Sequence, residues 1–202
     1  MIKNIIFDFG KVLVDFDPYY MTSQYFDSED DILKVSEVIF DRLYWDRLDE
    51  GTISDEEIIS DIKKRLPASL QENAILAFEN WYLHLPEIKG MRELVLNLKT
   101  QGCKLYLLSN ISKQFVQNYE KVENIKSLLD LFDGLVFSGP LGIVKPSAEI
   151  FKFLLNKYSL KAEDCLFIDD SAKNTDGAKS VGINAYLFDG DSKKLNEYIL
   201  NN

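Results

Sequence analysis

Four short apolar runs, each stopping abruptly at a polar residue, set the frame of this sequence. The run IKNIIF (2–7) ends at Asp8, KLYLLS (104–109) ends in Ser109 and Asn110, GLVFS (134–138) leads toward Lys145, and CLFIDD (165–170) ends in Asp169 and Asp170; a shorter run, NAYLF (184–188), closes the series. Unbroken apolar runs of this length suit strands buried on both faces rather than strands with one wet side. Between them lie amphipathic segments at helical spacing, for instance 90–100 with Leu94, Val95 and Leu98 on one stripe, and 147–158 with Ile150, Phe151, Leu154 and Leu155. Ser147 after Pro146 is an N-cap signal, and Gly102 and Gly182 stand where helices should stop. Strand and helix in regular alternation predict an α/β fold, a Rossmann-like parallel sheet with helices on both faces, three layers in all.

Residues 15–88 break the alternation. They hold helical patterns at 28–40, 54–65 and 70–83, an aromatic-rich entry (Phe16, Tyr19, Tyr20, Tyr25, Phe26) and no convincing strand. The expectation is a core of residues 1–14 and 89–202 with a small helical bundle, 15–88, inserted after the first strand. Ligands of open α/β sheets bind outside the carboxyl ends of the strands, so an insert springing from one such end is placed to roof the site.

Composition narrows the partners. The 202 residues carry 46% hydrophobic and 28% charged side chains, close to ordinary globular usage, which excludes a disordered or low-complexity chain. A formal charge of −10 argues against a nucleic-acid binder, which needs clustered Lys and Arg. No apolar run approaches the ~18 residues of a membrane span, and no basic segment with a small-residue cleavage site precedes Asp8, so a cytoplasmic protein with neither membrane nor nucleic-acid partner is expected, as a monomer or homodimer. Cys103 and Cys165 stand apart in apolar runs without ligand spacing and read as buried reduced thiols. His84, the single histidine, has no ligand-spaced neighbour and reads as structural.

The strand ends carry the chemistry. If the four strands are adjacent, Asp8, Ser109, Asn110, Lys145, Asp169 and Asp170 converge on one crevice. Clustered carboxylates repel one another unless a cation lies between them, and hard oxygen donors suit Mg²⁺. A cation, an ammonium and a hydroxyl together form a phosphate site, and a carboxylate beside it can accept a phosphoryl group as a covalent nucleophile.

The ordered segments FDFGKVLVD (7–15), LLSN (107–110), GIVKPSAEIF (142–151) and FIDDSAKNTDGAKSVGI (167–183) resemble the four motifs of the haloacid dehalogenase-like hydrolases across the whole chain. Within that family FSGPLGIVKP (137–146), IDDSAKNTDGA (168–178) and WDRLDEGTIS (45–54) are most similar to bacterial phosphatases acting on α-D-glucose 1-phosphate. The resemblance implies a Mg²⁺-dependent hydrolase of a small phosphate ester, with residues 15–88 as the helical cap. It makes Asp8 nucleophile and metal ligand, Asp170 and the Gly10 carbonyl further ligands, and Asp169 a ligand directly or through water. Ser109 and the Asn110 backbone would bind phosphoryl oxygens, and Lys145 would offset charge on the transferring group.

One position departs from the family pattern. Gly10 occupies the place of the second Asp that protonates the leaving group, a contribution typically worth about 10²- to 10⁴-fold. Good leaving groups should then be favoured, and Asp15 or Asp17 are candidate substitute bases unless they only cap the loop before Pro18. The same departure admits a metal-independent 2-haloacid dehalogenase, although the intact Asp169-Asp170 pair favours phosphoryl transfer, and a non-catalytic phospho-ligand binder is a third reading. Specificity is expected from the insert, where Trp45 and Arg47 are candidate substrate contacts; the competing reading packs Trp45 in the insert's core and leaves Arg47 in a solvated ion pair.

Overall fold

The computed structural model describes residues 2–201, so the outer limits of the expected core, residues 1 and 202, lie outside the described residues. In chain order the elements are β1 (Asn4–Phe7), α1 (Pro18–Ser23), α2 (Glu29–Ile39), α3 (Arg42–Asp49), α4 (Asp55–Arg65), α5 (Ala68–Asn80), α6 (Met91–Thr100), β2 (Lys104–Ser109), α7 (Lys113–Asn118), α8 (Glu123–Leu129), β3 (Gly134–Phe137), α9 (Ser138–Leu141), α10 (Ala148–Tyr158), β4 (Cys165–Asp169), α11 (Ala172–Ser180), β5 (Asn184–Leu187) and α12 (Ser192–Leu200). All five strands are parallel, in the order β3-β2-β1-β4-β5.

That order puts the three chemistry-bearing strand ends side by side. Phe7 pairs with Leu107 on one side and Ile168 on the other, so Asp8, Ser109 and Asp169 emerge at neighbouring points of one rim. The unbroken apolar runs follow from burial on both faces. Ile5, Phe7, Leu105, Leu107, Leu166 and Ile168 face one apolar cluster, which takes in Leu94, Val95 and Leu98 of α6 and Leu195 and Ile199 of α12. The alternate residues Ile6, Tyr106, Leu108 and Phe167 face a second cluster with Ile150, Phe151 and Leu154 of α10. Fully burying one such side chain contributes roughly 1.5–3 kcal/mol before chain entropy is set against it.

Helix limits follow the capping signals. Ser147 Oγ accepts from Glu149 N at the start of α10, and Ser54 with Glu57 forms a reciprocal capping box on α4. Between β1 and α6 the regular elements are helices, apart from isolated β-bridges of Val14 with Gly10 and with Glu87. Entry and exit of this insert run together: Asp15 N donates to Pro86 O and Ile88 N to Leu13 O. Its apolar side chains, including Ile39, Ile58, Ile62 and Phe78, join the sheet's first cluster without a gap. No helix among the described residues is long and apolar enough to cross a membrane. Cys165 is buried and Cys103 half-buried, both as free thiols.

Candidate active site

The carboxyl ends of β1, β2 and β4 floor a cavity of about 680 Å³ whose far wall belongs to the helical insert. Asp8, Gly10, Ser109, Asn110, Lys145 and Asp170 line it from the sheet side, and Phe16, Phe40, Arg42, Trp45, Asp46, Asp49 and Trp81 from the insert. Of the strand-end residues expected on one crevice, Asp8, Ser109, Asn110, Lys145 and Asp170 line this cavity, and Asp169 does not.

Lys145 organises the floor. Its Nζ lies 2.7 Å from Asp8 Oδ1 and 2.7 Å from Asp169 Oδ2, and the residue is only 4% exposed. Burial alone works against the ammonium, but the two carboxylates more than offset it and leave its pKa above the ordinary value. Asn110 holds the backbone of this lysine in a two-way clasp, its Nδ2 donating to Lys145 O at 3.0 Å and its Oδ1 accepting from Lys145 N at 2.8 Å. The side chain expected to mark a phosphate loop thus sets the position of Lys145 as well.

Asp8 is buried and accepts from Phe9 N at 2.7 Å. Desolvation pushes its carboxyl up to about 7, with Lys145 pulling down and Asp169 pushing further up. A buried carboxylate raised in this way is one that a cation restores to its charged form. Asp8, Asp169 and Asp170 offer carboxylate oxygens all within 4.8 Å of one another, a hard oxygen set that fits Mg²⁺. Burial, then the Asp169 charge, raises Asp170 as well.

Asp169, expected to hold the metal directly or through water, is a member of this oxygen cluster. Fully buried, it accepts from Lys145 Nζ, from Ser171 N at 2.8 Å and from Asn174 Nδ2 at 3.0 and 3.1 Å. These donors tie it to Lys145, Ser171 and Asn174, and it is not among the residues that line the cavity. Asp8 and Asp170 are the acids of the cluster that the cavity reaches.

The insert corrects one expectation and refines another. Arg47 does not line the cavity; its guanidinium reaches Thr52 O at 3.3 Å on the exposed side of α3. Residues 42, 45, 46 and 49 share one helical face at i, i+3, i+4 and i+7, and all four line the cavity, whereas 47 falls about 100° or more from that stripe. Trp45 does reach the cavity but is largely packed, stacked on Phe40 at 5.2 Å and edge-on to Trp81 at 5.0 Å, with Nε1 donating to Ile39 O at 2.7 Å. The packing weighed for it from the sequence is thus present, and its ring still forms part of the cavity wall.

Neither candidate substitute base reaches the cavity. Asp17 caps α1, accepting from Tyr19 N and Tyr20 N, and Asp15 pairs with Lys11 at 2.7 Å on the surface. His84 contacts Tyr25 OH at 3.1 Å, and burial lowers its pKa, as suits a structural histidine. The residue the sequence reading passed over is Asp49. It ends α3, lines the cavity, and desolvation pushes its carboxyl up to about 7 against the pull of Lys145. The helical stripe Arg42, Trp45, Asp46, Asp49 was the available signal.

A parallel α/β sheet thus carries a buried acid–lysine–acid floor, and the inserted helical bundle walls the cavity above it. The chain belongs to the haloacid dehalogenase-like hydrolases, whose family model matches residues 2–182. It is 30% identical over 200 residues to a D-ribitol-5-phosphate phosphatase of Bacteroides thetaiotaomicron, covering 92% of this chain and 91% of that protein. It is 25% identical to a sesquiterpene phosphatase of Aspergillus oryzae over 90% of this chain and 87% of the other. Among solved structures, a haloacid dehalogenase-family enzyme of Bacteroides thetaiotaomicron in complex with magnesium and inorganic phosphate superposes with a TM-score of 0.71 at 22% identity, covering 96% of this chain and 99% of that one.

Proposed function

We propose that the protein is a Mg²⁺-dependent phosphatase that hydrolyses a small sugar or polyol phosphate, of which α-D-glucose 1-phosphate is the specific candidate, through an aspartyl-phosphate on Asp8. The observation that carries this reading is the Lys145 ammonium held 2.7 Å from Asp8, with Ser109 and Asp170 on the same cavity wall. Asp8 and Asp170, with the Gly10 carbonyl, would hold the Mg²⁺, which neutralises charge on the phosphoryl group and keeps Asp8 ionised. Lys145 holds the attacking oxygen of Asp8 in place and offsets negative charge spread over the transferring group. The Ser109 hydroxyl and the loop at Asn110 take the remaining phosphoryl oxygens. Residues 15–88 act as the cap, with α3 presenting Trp45 and its stripe-mates to the alcohol portion. The protein would work in the cytoplasm on a small molecule, as a monomer or homodimer.

The aromatic wall of Phe16, Phe40, Trp45 and Trp81 also favours a second substrate class, an isoprenoid phosphate, in line with the sesquiterpene phosphatase relative. Phosphate release from α-D-glucose 1-phosphate, glucose 6-phosphate, ribitol 5-phosphate and a prenyl phosphate, with and without Mg²⁺, tests the reading in wild type and Asp8→Asn. Mg²⁺-dependent release abolished in Asp8→Asn supports it. Release of halide from a 2-haloacid in EDTA would instead establish the dehalogenase, and binding without turnover of any ester the phospho-ligand protein.

A further inference from the structure

The cavity lacks a side chain at Gly10 to protonate a leaving group, yet it contains a carboxyl group on the opposite wall. In phosphoryl transfer the attacking and leaving oxygens are roughly in line through phosphorus. With Asp8 on the floor, the leaving oxygen points away from β1, toward the wall contributed by the helical insert. The acids on that wall are Asp46, Asp49 and Glu50. Asp46 is exposed and committed to Arg42 at 2.9 Å, and Glu50 is exposed beyond the last turn of α3. Asp49 is half-buried, and its carboxylate has neither hydrogen-bond donor nor ion-pair partner among the described residues.

The backbone around Asp49 is tied to the core at three points. Ser138 Oγ donates to Asp49 O at 2.7 Å, and Lys113 Nζ donates to Gly51 O at 3.1 Å. Gly51, at φ +66°, lies so close to the core that a Cβ there would stand 2.4 Å from Gly139 O. The end of α3 is thereby fixed against the segments that follow β2 and β3, and Asp49 is held over the floor rather than carried on a free loop.

We propose that Asp49 is the general acid and base of both half-reactions, serving from the helical insert in place of the side chain that Gly10 lacks; this rests on the phosphatase reading above. In the first half-reaction an Asp8 oxygen bonds to phosphorus as the P–O bond to the alcohol breaks. The Asp49 carboxyl proton passes to the departing oxygen, giving neutral alcohol and the Asp49 carboxylate. Water then enters the position the alcohol has left, so the same group is within reach. Asp49 takes a proton from it as the water oxygen bonds to phosphorus and the P–O bond to Asp8 breaks, restoring the Asp49 carboxyl and releasing inorganic phosphate. A carboxyl raised to about 7 by desolvation is available in both forms near neutrality. The groups acting on it are Lys145 from the core, Arg42 and Asp46 from its own helix and Glu50 just beyond it; Lys11, Lys173, Asp8 and Asp170 line the same cavity.

The test compares wild type, Asp49→Asn, Asp8→Asn and Gly10→Asp/Asp49→Asn on 4-nitrophenyl phosphate and on the sugar phosphate that wild type turns over best. Asp49→Asn should lower kcat/KM on the sugar phosphate by about 10²- to 10³-fold and on 4-nitrophenyl phosphate, whose leaving group needs no proton, by less than about 10-fold. It should also show a stoichiometric burst of 4-nitrophenolate, because water attack on the Asp8 phosphate slows, and the limb of the pH–kcat/KM profile near 7 should vanish. Gly10→Asp should restore much of the loss, since a Cβ at position 10 meets nothing nearer than Phe16 Cβ at 3.9 Å. Equal losses on both esters, carried by KM without change in the pH profile, would overturn the proposal and leave Asp49 a specificity contact. Full activity of Asp49→Asn overturns it while the phosphatase reading stands, whereas a wild type that releases phosphate from neither ester removes both.

Discussion

Asn110 and Lys145 are joined by a two-way clasp, the amide of one donating to and accepting from the backbone of the other at 3.0 and 2.8 Å. The pair lies 35 residues apart in sequence and ties the end of β2 to the loop before α10. Because Lys145 Nζ must meet both Asp8 and Asp169, any slackening of its backbone is passed directly to the floor of the cavity. Asn110→Ala should therefore lower kcat about 10- to 100-fold, while Asn110→Asp, which keeps the acceptor for Lys145 N, should retain more; a misplacement of about 1 Å accounts for a loss of this size. Steady-state kinetics on 4-nitrophenyl phosphate, with circular dichroism to confirm folding, decides between this and a purely structural amide.

Lys145 compensates two carboxylates, one of them fully buried. Lys145→Met should abolish phosphate release and destabilise the metal-free protein by roughly 3–5 kcal/mol, the usual cost of stranding one side of a buried ion pair. The cost should shrink as Asp8, whose carboxyl is raised to about 7, takes up its proton, so the gap between variant and wild type in urea midpoints should narrow as pH falls below about 7. A gap that stays constant with pH would mean that the lysine's packing over Phe167, 5.4 Å from the ring centroid, matters more than its charge.

Much of this arrangement was legible because a strand buried on both faces must be apolar throughout, so its end is sharp. Asp8, Ser109 and Asp169 mark those ends, and the sheet order sets them side by side. The roles of Asp169 and Arg47 were not legible for the same physical reason: both depend on which partners the folded chain supplies. Asp169 receives Ser171, Asn174 and Lys145, and Arg47 lies off the cavity-facing stripe of α3. For Asp49 the stripe Arg42, Trp45, Asp46 and Asp49 marks the helical face, but the burial that raises its carboxyl comes only with the folded chain.

Gly51 is a point of close approach between insert and core. Its positive φ already favours glycine, and a methyl group would meet Gly139 O at 2.4 Å and Lys113 Cε at 2.9 Å. Gly51→Ala should cost about 1–3 kcal/mol in stability and displace the end of α3 from the core. Activity on the sugar phosphate should fall more than activity on 4-nitrophenyl phosphate, because the displaced residue is the neighbour of Asp49. Equal loss on the two esters would assign Gly51 to overall folding instead.

Asp49 also carries a signature in stability. Its folded-state carboxyl is raised to about 7 from an ordinary 3.8, so the folded protein binds the proton more tightly than the unfolded chain does. The resulting penalty is absent below about pH 4, grows as pH rises through the interval between 3.8 and 7, and is complete above 7. Asp49→Asn removes the ionisation and with it the penalty. The variant should match wild type near pH 4 and exceed it at pH 8 by on the order of 1–3 kcal/mol, after discounting for the solvent that reaches a half-buried group. Urea titrations at the two pH values measure the difference directly and need neither Mg²⁺ nor substrate. A difference unchanged between pH 4 and pH 8 would show that Asp49 is as well solvated in the folded protein as in the unfolded chain, and its carboxyl would then be ionised throughout the neutral range.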